Sequence, residues 1–219
     1  MNTLKSTKLI KRSWLSKKAF QIQLVRPSDF EFMAGQNIRF ICGDIERYYS
    51  IISAPHEPVI ELCIRFIKEG SFSQILAAAE PGSEFQFTGP HGYFTFKPSK
   101  RHPVFVATGV GIAPFVSMAR SGIKHFTLLH GAKDAKELYY ESFFKKTASR
   151  FIACLSDSNA KDLDLPNVFH GRVIDFMRKE LPRTEYDFYL CGRGEMVRDV
   201  TLLADEFFPG SLVYNEVFF

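Results

Sequence analysis

Apolar and polar residues alternate over short stretches through the first hundred positions. Residues 8–16, 19–26, 36–43, 47–54 and 59–68 each show a partial period of two, which predicts half-buried strands. Turn-forming clusters separate them: Pro27-Ser28-Asp29, Gly35, Gly43-Asp44 and Pro55-His56-Glu57-Pro58. Residues 71–80, SFSQILAAAE, follow Gly70 with a helical pattern that Pro81-Gly82 stops, and 84–89 resume as a strand. Short strands at this spacing predict an antiparallel barrel or sandwich.

The rhythm changes at Lys97-Pro98-Ser99-Lys100-Arg101-His102-Pro103, a polar, proline-flanked stretch. A boundary is expected there, dividing the chain into residues 1–98 and 99–219. Beyond it strands and helices alternate. Strand 103–108 leads to helix 111–120, strand 125–131 to helix 135–146, and strand 151–156 to a helix over 171–181. Strand 187–192 leads to helix 195–208, and 211–219 close the chain as a strand. That alternation predicts a Rossmann-like α/β domain, a parallel sheet with helices on both faces.

Composition narrows the function classes. With 46% hydrophobic and 24% charged residues, the 219-residue chain has ample core and is neither disordered nor fibrous. No apolar run is long enough to span a bilayer, and the basic start lacks the apolar core of a secretory signal, so a cytoplasmic protein is expected. Cys42, Cys63, Cys154 and Cys191 are too far apart for a CxxC pair, a zinc knuckle or an iron–sulfur run, and no metal site is expected. Net charge is +4, and every charged residue before Asp29 is basic: Lys5, Lys8, Lys11, Arg12, Lys17, Lys18 and Arg26. This is either a solvated strand face or a patch for an acidic partner. Basic and aromatic residues do not interleave as in a nucleic-acid-binding module.

Several short motifs carry chemistry. Arg47-Tyr48-Tyr49-Ser50 combines a guanidinium fork, flat aromatic surface and a hydroxyl. Ile64-Arg65 lie on the next strand, and Gly70-Ser71-Phe72-Ser73 open the helix, where free amides suit a pyrophosphate. Thr108-Gly109-Val110-Gly111-Ile112-Ala113-Pro114 joins a strand to a helix, with Pro114 where a dinucleotide fingerprint has its third glycine. Cys191-Gly192 ends another strand in the same half. Each is weak by itself, since an ordinary turn or a buried cysteine accounts for it.

Taken in order, the motifs resemble the ferredoxin–NAD(P) reductase superfamily: R-x-Y-S, G-x-x-S, G-P-x-G-x-F (Gly89, Pro90, Gly92, Phe94), T-G-x-G-x-x-P, C-G and a terminal E-x-F. The resemblance runs from Gly35-Gln36 to Phe218. It implies an FAD-binding antiparallel barrel followed by a nicotinamide-nucleotide domain. Arg47, Gly70, Ser71, Phe72 and Ser73 would then hold the FAD pyrophosphate. Tyr49 would pack on the flavin, and Ser50 would lie near flavin N5. Tyr48, Ile64 and Arg65 fall in the same site; Tyr48 replaces a proline common in the family, and Arg65 and His91 stay ambiguous. Thr108, Gly109, Gly111, Pro114 and Gly192 would shape the nicotinamide site. Cys191 would sit near nicotinamide C4, Glu216 would orient that ring, and Phe218 would cover the flavin.

Where NADP-specific relatives carry Ser-Arg, this chain has Leu155-Ser156-Asp157-Ser158. A carboxylate there repels a 2′-phosphate, so Asp157 predicts NADH, with NADPH the alternative and Lys133 a positive charge that could serve it. The resemblance further implies an acidic iron–sulfur protein or a flavodoxin as electron acceptor, with no ferredoxin domain in this chain. A reductase of free flavin and a non-catalytic electron-transfer subunit are the competing roles.

Overall fold

The computed structural model describes residues 3–157 and 167–218, the side chains of Ser71 and Phe218 excepted. The first sheet is antiparallel and six-stranded, ordered β4-β3-β6-β1-β2-β5. Its strands are β1 (Lys5–Ser16), β2 (Ala19–Val25), β3 (Asn37–Cys42), β4 (Ile45–Ser50), β5 (Val59–Arg65) and β6 (Glu84–His91). A bridge between Ile51 and Leu62 joins the two edges, and Ile52 N–H donates to Glu61 O at 2.8 Å. Joining the edges closes the sheet as a barrel and leaves no long free strand edge. Alternate side chains fill its interior: Phe20, Ile22 and Leu24 from β2, Ile38 and Phe40 from β3, and Ile60, Leu62 and Ile64 from β5. Helix α1 (Ser71–Ala78) adds Phe72 and Leu76, one turn apart on one face, to the same core.

The second sheet is parallel and six-stranded, ordered β10-β9-β8-β7-β11-β12. Its strands are β7 (His102–Thr108), β8 (Thr127–Ala132), β9 (Arg150–Leu155), β10 (Val168–His170), β11 (Tyr186–Arg193) and β12 (Leu212–Phe218). Central strands buried on both faces need continuous apolar runs, and PVFVAT and FYLCG supply them. Along β7, Val104 and Val106 point to one face, where α4 (Val173–Glu180) and α5 (Gly194–Phe207) pack Phe176, Met177, Val200 and Leu203 against them. Phe105 points to the other face, stacked on Phe126 at 4.6 Å, and Phe126 in turn meets Phe144 of α3 (Glu141–Thr147). Helices therefore cover both faces, as the alternation predicted.

One local expectation differs, and two further features were not anticipated. Residues 135–146 do not form one helix. A 3-10 turn, Ala135–Glu137, is capped by the Asp134 carboxylate, Tyr140 takes a left-handed φ of 58°, and only then does α3 begin. Strand β10 is three residues long, too short to show a period. The polar stretch around residues 97–101 is tied to β11. Arg101 Nε donates to the buried Asp187 carboxylate at 2.6 Å, Ser99 donates to the same group, and Lys97 exchanges two hydrogen bonds with the Tyr189 hydroxyl.

The residues cluster into two compact units. One comprises residues 1–96 with 113–122, the other 97–112 with 123–219. Helix α2 (Ala113–Arg120), which follows β7 in the chain, thus belongs with the barrel. Ser117 Oγ donates to Ser53 O at 2.6 Å, Phe115 meets Phe94 edge-on, and Arg120 pairs with Glu57 and with the buried Glu61.

Candidate functional site

In the barrel unit Tyr49 of β4 meets the start of α1. Tyr49 lies near-parallel to Phe72 at 6.2 Å, and both rings meet Phe40. Burial pushes the Tyr49 phenol up to about 12, with the nearby Arg47 charge opposing the shift, so it stays protonated. Arg47 is exposed two residues along the same strand, and among its described contacts is a hydrogen bond from Nη1 to Glu46 O at 2.7 Å. Helix α1 begins at Gly70 with no side-chain cap and no acidic residue in its first turn. Uncapped first-turn N–H groups and a positive dipole end form a donor set suited to a pyrophosphate, and the exposed Arg47 lies on the strand whose Tyr49 meets that helix start. A Cβ at Gly70 would come within 2.9 Å of the Ile67 Cβ, so the turn closes only around glycine.

The other barrel residues divide. Ser50 is buried at the end of β4. Tyr48 faces outward, half exposed, with Arg39 over its ring at 5.8 Å and His91 edge-on at 5.5 Å. The Ile64 side chain lies wholly inside the core, whereas Arg65 is exposed. The Ser73 hydroxyl is engaged with the Ile67 backbone, accepting from its N–H at 3.1 Å and donating to its carbonyl at 3.3 Å. At this helix start the Ser73 hydroxyl is thus committed to its own loop, and backbone amides are the donors left for a ligand. The Ser71 side chain lies outside the described residues.

In the α/β unit, strand order reverses between β7 and β11. The chain steps outward from β7 through β8, β9 and β10, then returns to build β11 and β12 on the other side. Such a switch point opens a crevice at the C-terminal strand ends, and the predicted glycines sit there. Gly109 has φ +56° with nothing within 4 Å of an added Cβ. Gly111 approaches so closely that a Cβ would lie 2.3 Å from Cys191 O. Gly192 has φ +143°, and its Cβ would lie 2.2 Å from Thr108 Oγ1. That hydroxyl accepts the Arg193 N–H at 3.1 Å. The two turns therefore meet backbone to backbone, a cradle that side chains would fill, which fits the close approach of a dinucleotide phosphate.

Cys191 is fully buried between Ala107 of β7 and Glu216 of β12. Burial, with the Glu216 charge adding to it, holds its thiol well above the usual range, so it is neutral. Asp157 lies two residues past β9, its N–H donating to Lys133 O at 2.9 Å. Pro114 stands in the first turn of α2, where a missing N–H costs nothing, and falls in the segment that clusters with the barrel. The Phe218 backbone pairs with Arg193, but its side chain, like Ser158, lies outside the described residues. Among the described residues, no group of three His, Cys, Asp or Glu could hold a metal ion.

Comparison with known proteins assigns both units. Residues 6–96 match the oxidoreductase FAD-binding domain, and residues 105–201 match the oxidoreductase NAD-binding domain. The chain belongs to the ferredoxin–NAD(P) reductase superfamily. FAD and a nicotinamide dinucleotide are its cofactors. The chain is 36% identical over 122 residues to ferredoxin–NADP reductase B of Sorangium cellulosum, covering 51% of this chain and 50% of that protein. It is 28% identical over 206 residues to the reductase component of propane 2-monooxygenase from Mycolicibacterium smegmatis, covering 85% of this chain and 59% of that one. The chain thus spans about half the length of these curated relatives. Its fold matches a ferredoxin NADP+ reductase from Neisseria gonorrhoeae solved with FAD and NADP, at TM-score 0.84 and 21% identity, over 98% of this chain and 99% of that one.

One residue of the α/β site escaped the sequence reading. His130 on β8 is fully buried and reaches the Gly109 carbonyl. A histidine in the apolar run FTLLHG carries no motif, so only its position beside the Gly109 turn reveals it.

Proposed function

We propose that this chain is a flavoprotein oxidoreductase that takes electrons from NADH and passes them to a separate redox protein, an iron–sulfur protein or a flavodoxin. The observation that carries the reading is the pair of backbone cradles, an uncapped helix start in one unit and the Gly109–Gly192 turns in the other. FAD, when bound, accepts two electrons together and releases them singly, chemistry that no side chain supplies. The chain's own part is binding and alignment. Arg47 and the first-turn amides of α1 hold the pyrophosphate, Tyr49 offers a protonated aromatic wall, and Ser50 supports the redox-active ring edge. The neutral Cys191 thiol packs at the nicotinamide position without adding charge, and Glu216 orients that ring.

Asp157 supports NADH, because its carboxylate disfavours a 2′-phosphate, even though the Sorangium relative is by name an NADP reductase. Relatives named as reductase components of propane 2-monooxygenases support a protein acceptor. The basic N-terminal stretch contributes less than its count suggests, since Lys5 pairs with Asp29, Lys8 with Glu84, and Arg12 and Arg26 bind backbone carbonyls. Lys11 and Lys17 remain exposed for an acidic acceptor. The cysteines are free thiols, which suits the reducing cytoplasm. Among the described residues, no helix is long and apolar enough to cross a membrane.

The test is the absorption spectrum of purified protein. Flavin bands that survive gel filtration and bleach under anaerobic NADH are expected, with kcat/KM higher for NADH than for NADPH. A colourless protein that reduces added flavin would overturn the bound-FAD reading, and about a tenfold preference for NADPH would overturn the role given to Asp157.

A further inference from the structure

Of six histidines only His130 is fully buried, and no step above uses it. It pairs with Ala107 across β7 and β8, beside the strand end that becomes the Gly109 turn. Its Nε2 lies 3.0 Å from Gly109 O. A carbonyl only accepts, so Nε2 must carry the proton. Nδ1 is then the bare nitrogen of a neutral ring, and it is buried with no hydrogen-bond partner among the described residues. A side chain present only to fill space would leave no such atom unsatisfied, and the preceding residues Leu128 and Leu129 fill space without one.

The bond fixes more than one oxygen. In a planar trans peptide the C=O and the following N–H point in opposite directions. Holding the Gly109 carbonyl toward His130 therefore turns the Val110 N–H away from it. Gly109 itself takes a left-handed φ and has open space where a side chain would stand. Gly109 opens the 3-10 turn Gly109–Ile112, whose backbone bonding already restrains this peptide, and His130 adds a side-chain donor to its carbonyl.

We propose that His130 is a positioning residue: its Nε2–H holds the Gly109 carbonyl and so presents the Val110 N–H to the bound nicotinamide dinucleotide. This rests on the reading of the Gly109 turn as the dinucleotide site. Burial keeps the ring neutral, and the Glu141 carboxylate is the charged group that acts on it in the opposite sense.

The test compares His130→Phe, which keeps the volume and loses the donor, with His130→Gln, whose amide N–H reaches the place of Nε2. Dissociation constants for NAD+ and NADH are measured by calorimetry on flavin-loaded protein, alongside the flavin content. His130→Phe is expected to weaken dinucleotide binding by about tenfold, the worth of one hydrogen bond, at unchanged flavin content. His130→Gln is expected to restore most of the loss. Should His130→Phe fail to fold, His130→Asn, too short to reach the carbonyl, takes its place. Nitrogen-15 spectra of the wild-type imidazoles report the bond without any ligand, and Nε2 protonated with Nδ1 bare is expected between about pH 5 and pH 8. A donor-less variant that binds as wild type, or a protonated Nδ1, overturns the role of His130 alone. Wild-type protein that shows the expected tautomer but binds neither dinucleotide overturns the site reading and this inference with it.

Discussion

His130 also ties stability to pH. Its pKa falls from the ordinary 6.5 to about 4 because burial penalises the cation, while the Gly109 bond and Glu141 oppose that fall. The unfolded chain therefore binds a proton that the folded chain refuses between those two values. Stability is full above about pH 6.5 and is lost as pH drops toward 4, by up to about 3 kcal/mol from this one group. Denaturant unfolding at several pH values is expected to show this loss in wild type and a flatter dependence in His130→Phe. A wild-type slope retained in the variant would assign the effect to other groups. At this scale the glycines were legible because only glycine meets the backbone contacts at Gly111 and Gly192. Ser73 was legible as a residue but not in its bonding, since a hydroxyl at a helix start serves a ligand or its own loop equally well in sequence.

Among the elements, α2 shows how packing decides what sequence order leaves open. Its helical pattern, PFVSMAR, was readable, but which core it joins was not. Arg120 at its C-terminal end reaches Glu57 at 3.2 Å and also Glu61, which is 7% exposed and further held by Gln23. Arg120→Met leaves the Glu61 carboxylate buried without its cation, and about 3 kcal/mol of stability is expected to go. Thermal or urea unfolding measures it, and Arg120→Met combined with Glu61→Gln should lose clearly less. An unchanged midpoint in the single variant would mean that this pair is weak. Apart from the three-residue β10, the strands of both sheets were legible because alternation and apolar runs follow directly from which faces are buried. The interruption at Tyr139 and Tyr140 was not, because an aromatic in a left-handed conformation is sustained by its surroundings rather than by any local preference.

At the scale of the molecule, the order of motifs conveyed the family, and the charge count conveyed less. Several of the early cations are committed inside the barrel unit, something a sum of charges cannot express. The membership of α2 has a consequence for inheritance. A chimera joined near residue 98 takes its barrel from one parent and, with the second half, a helix fitted to another parent's barrel. Ser117, Arg120 and Phe115 would then face strangers in place of Ser53, Glu61 and Phe94. Such chimeras are expected to melt below both parents, and restoring residues 113–122 to match the barrel should recover most of the difference. The natural unit of exchange in this protein is therefore not a contiguous stretch of gene but a barrel together with a helix encoded downstream of the first strand of the other sheet.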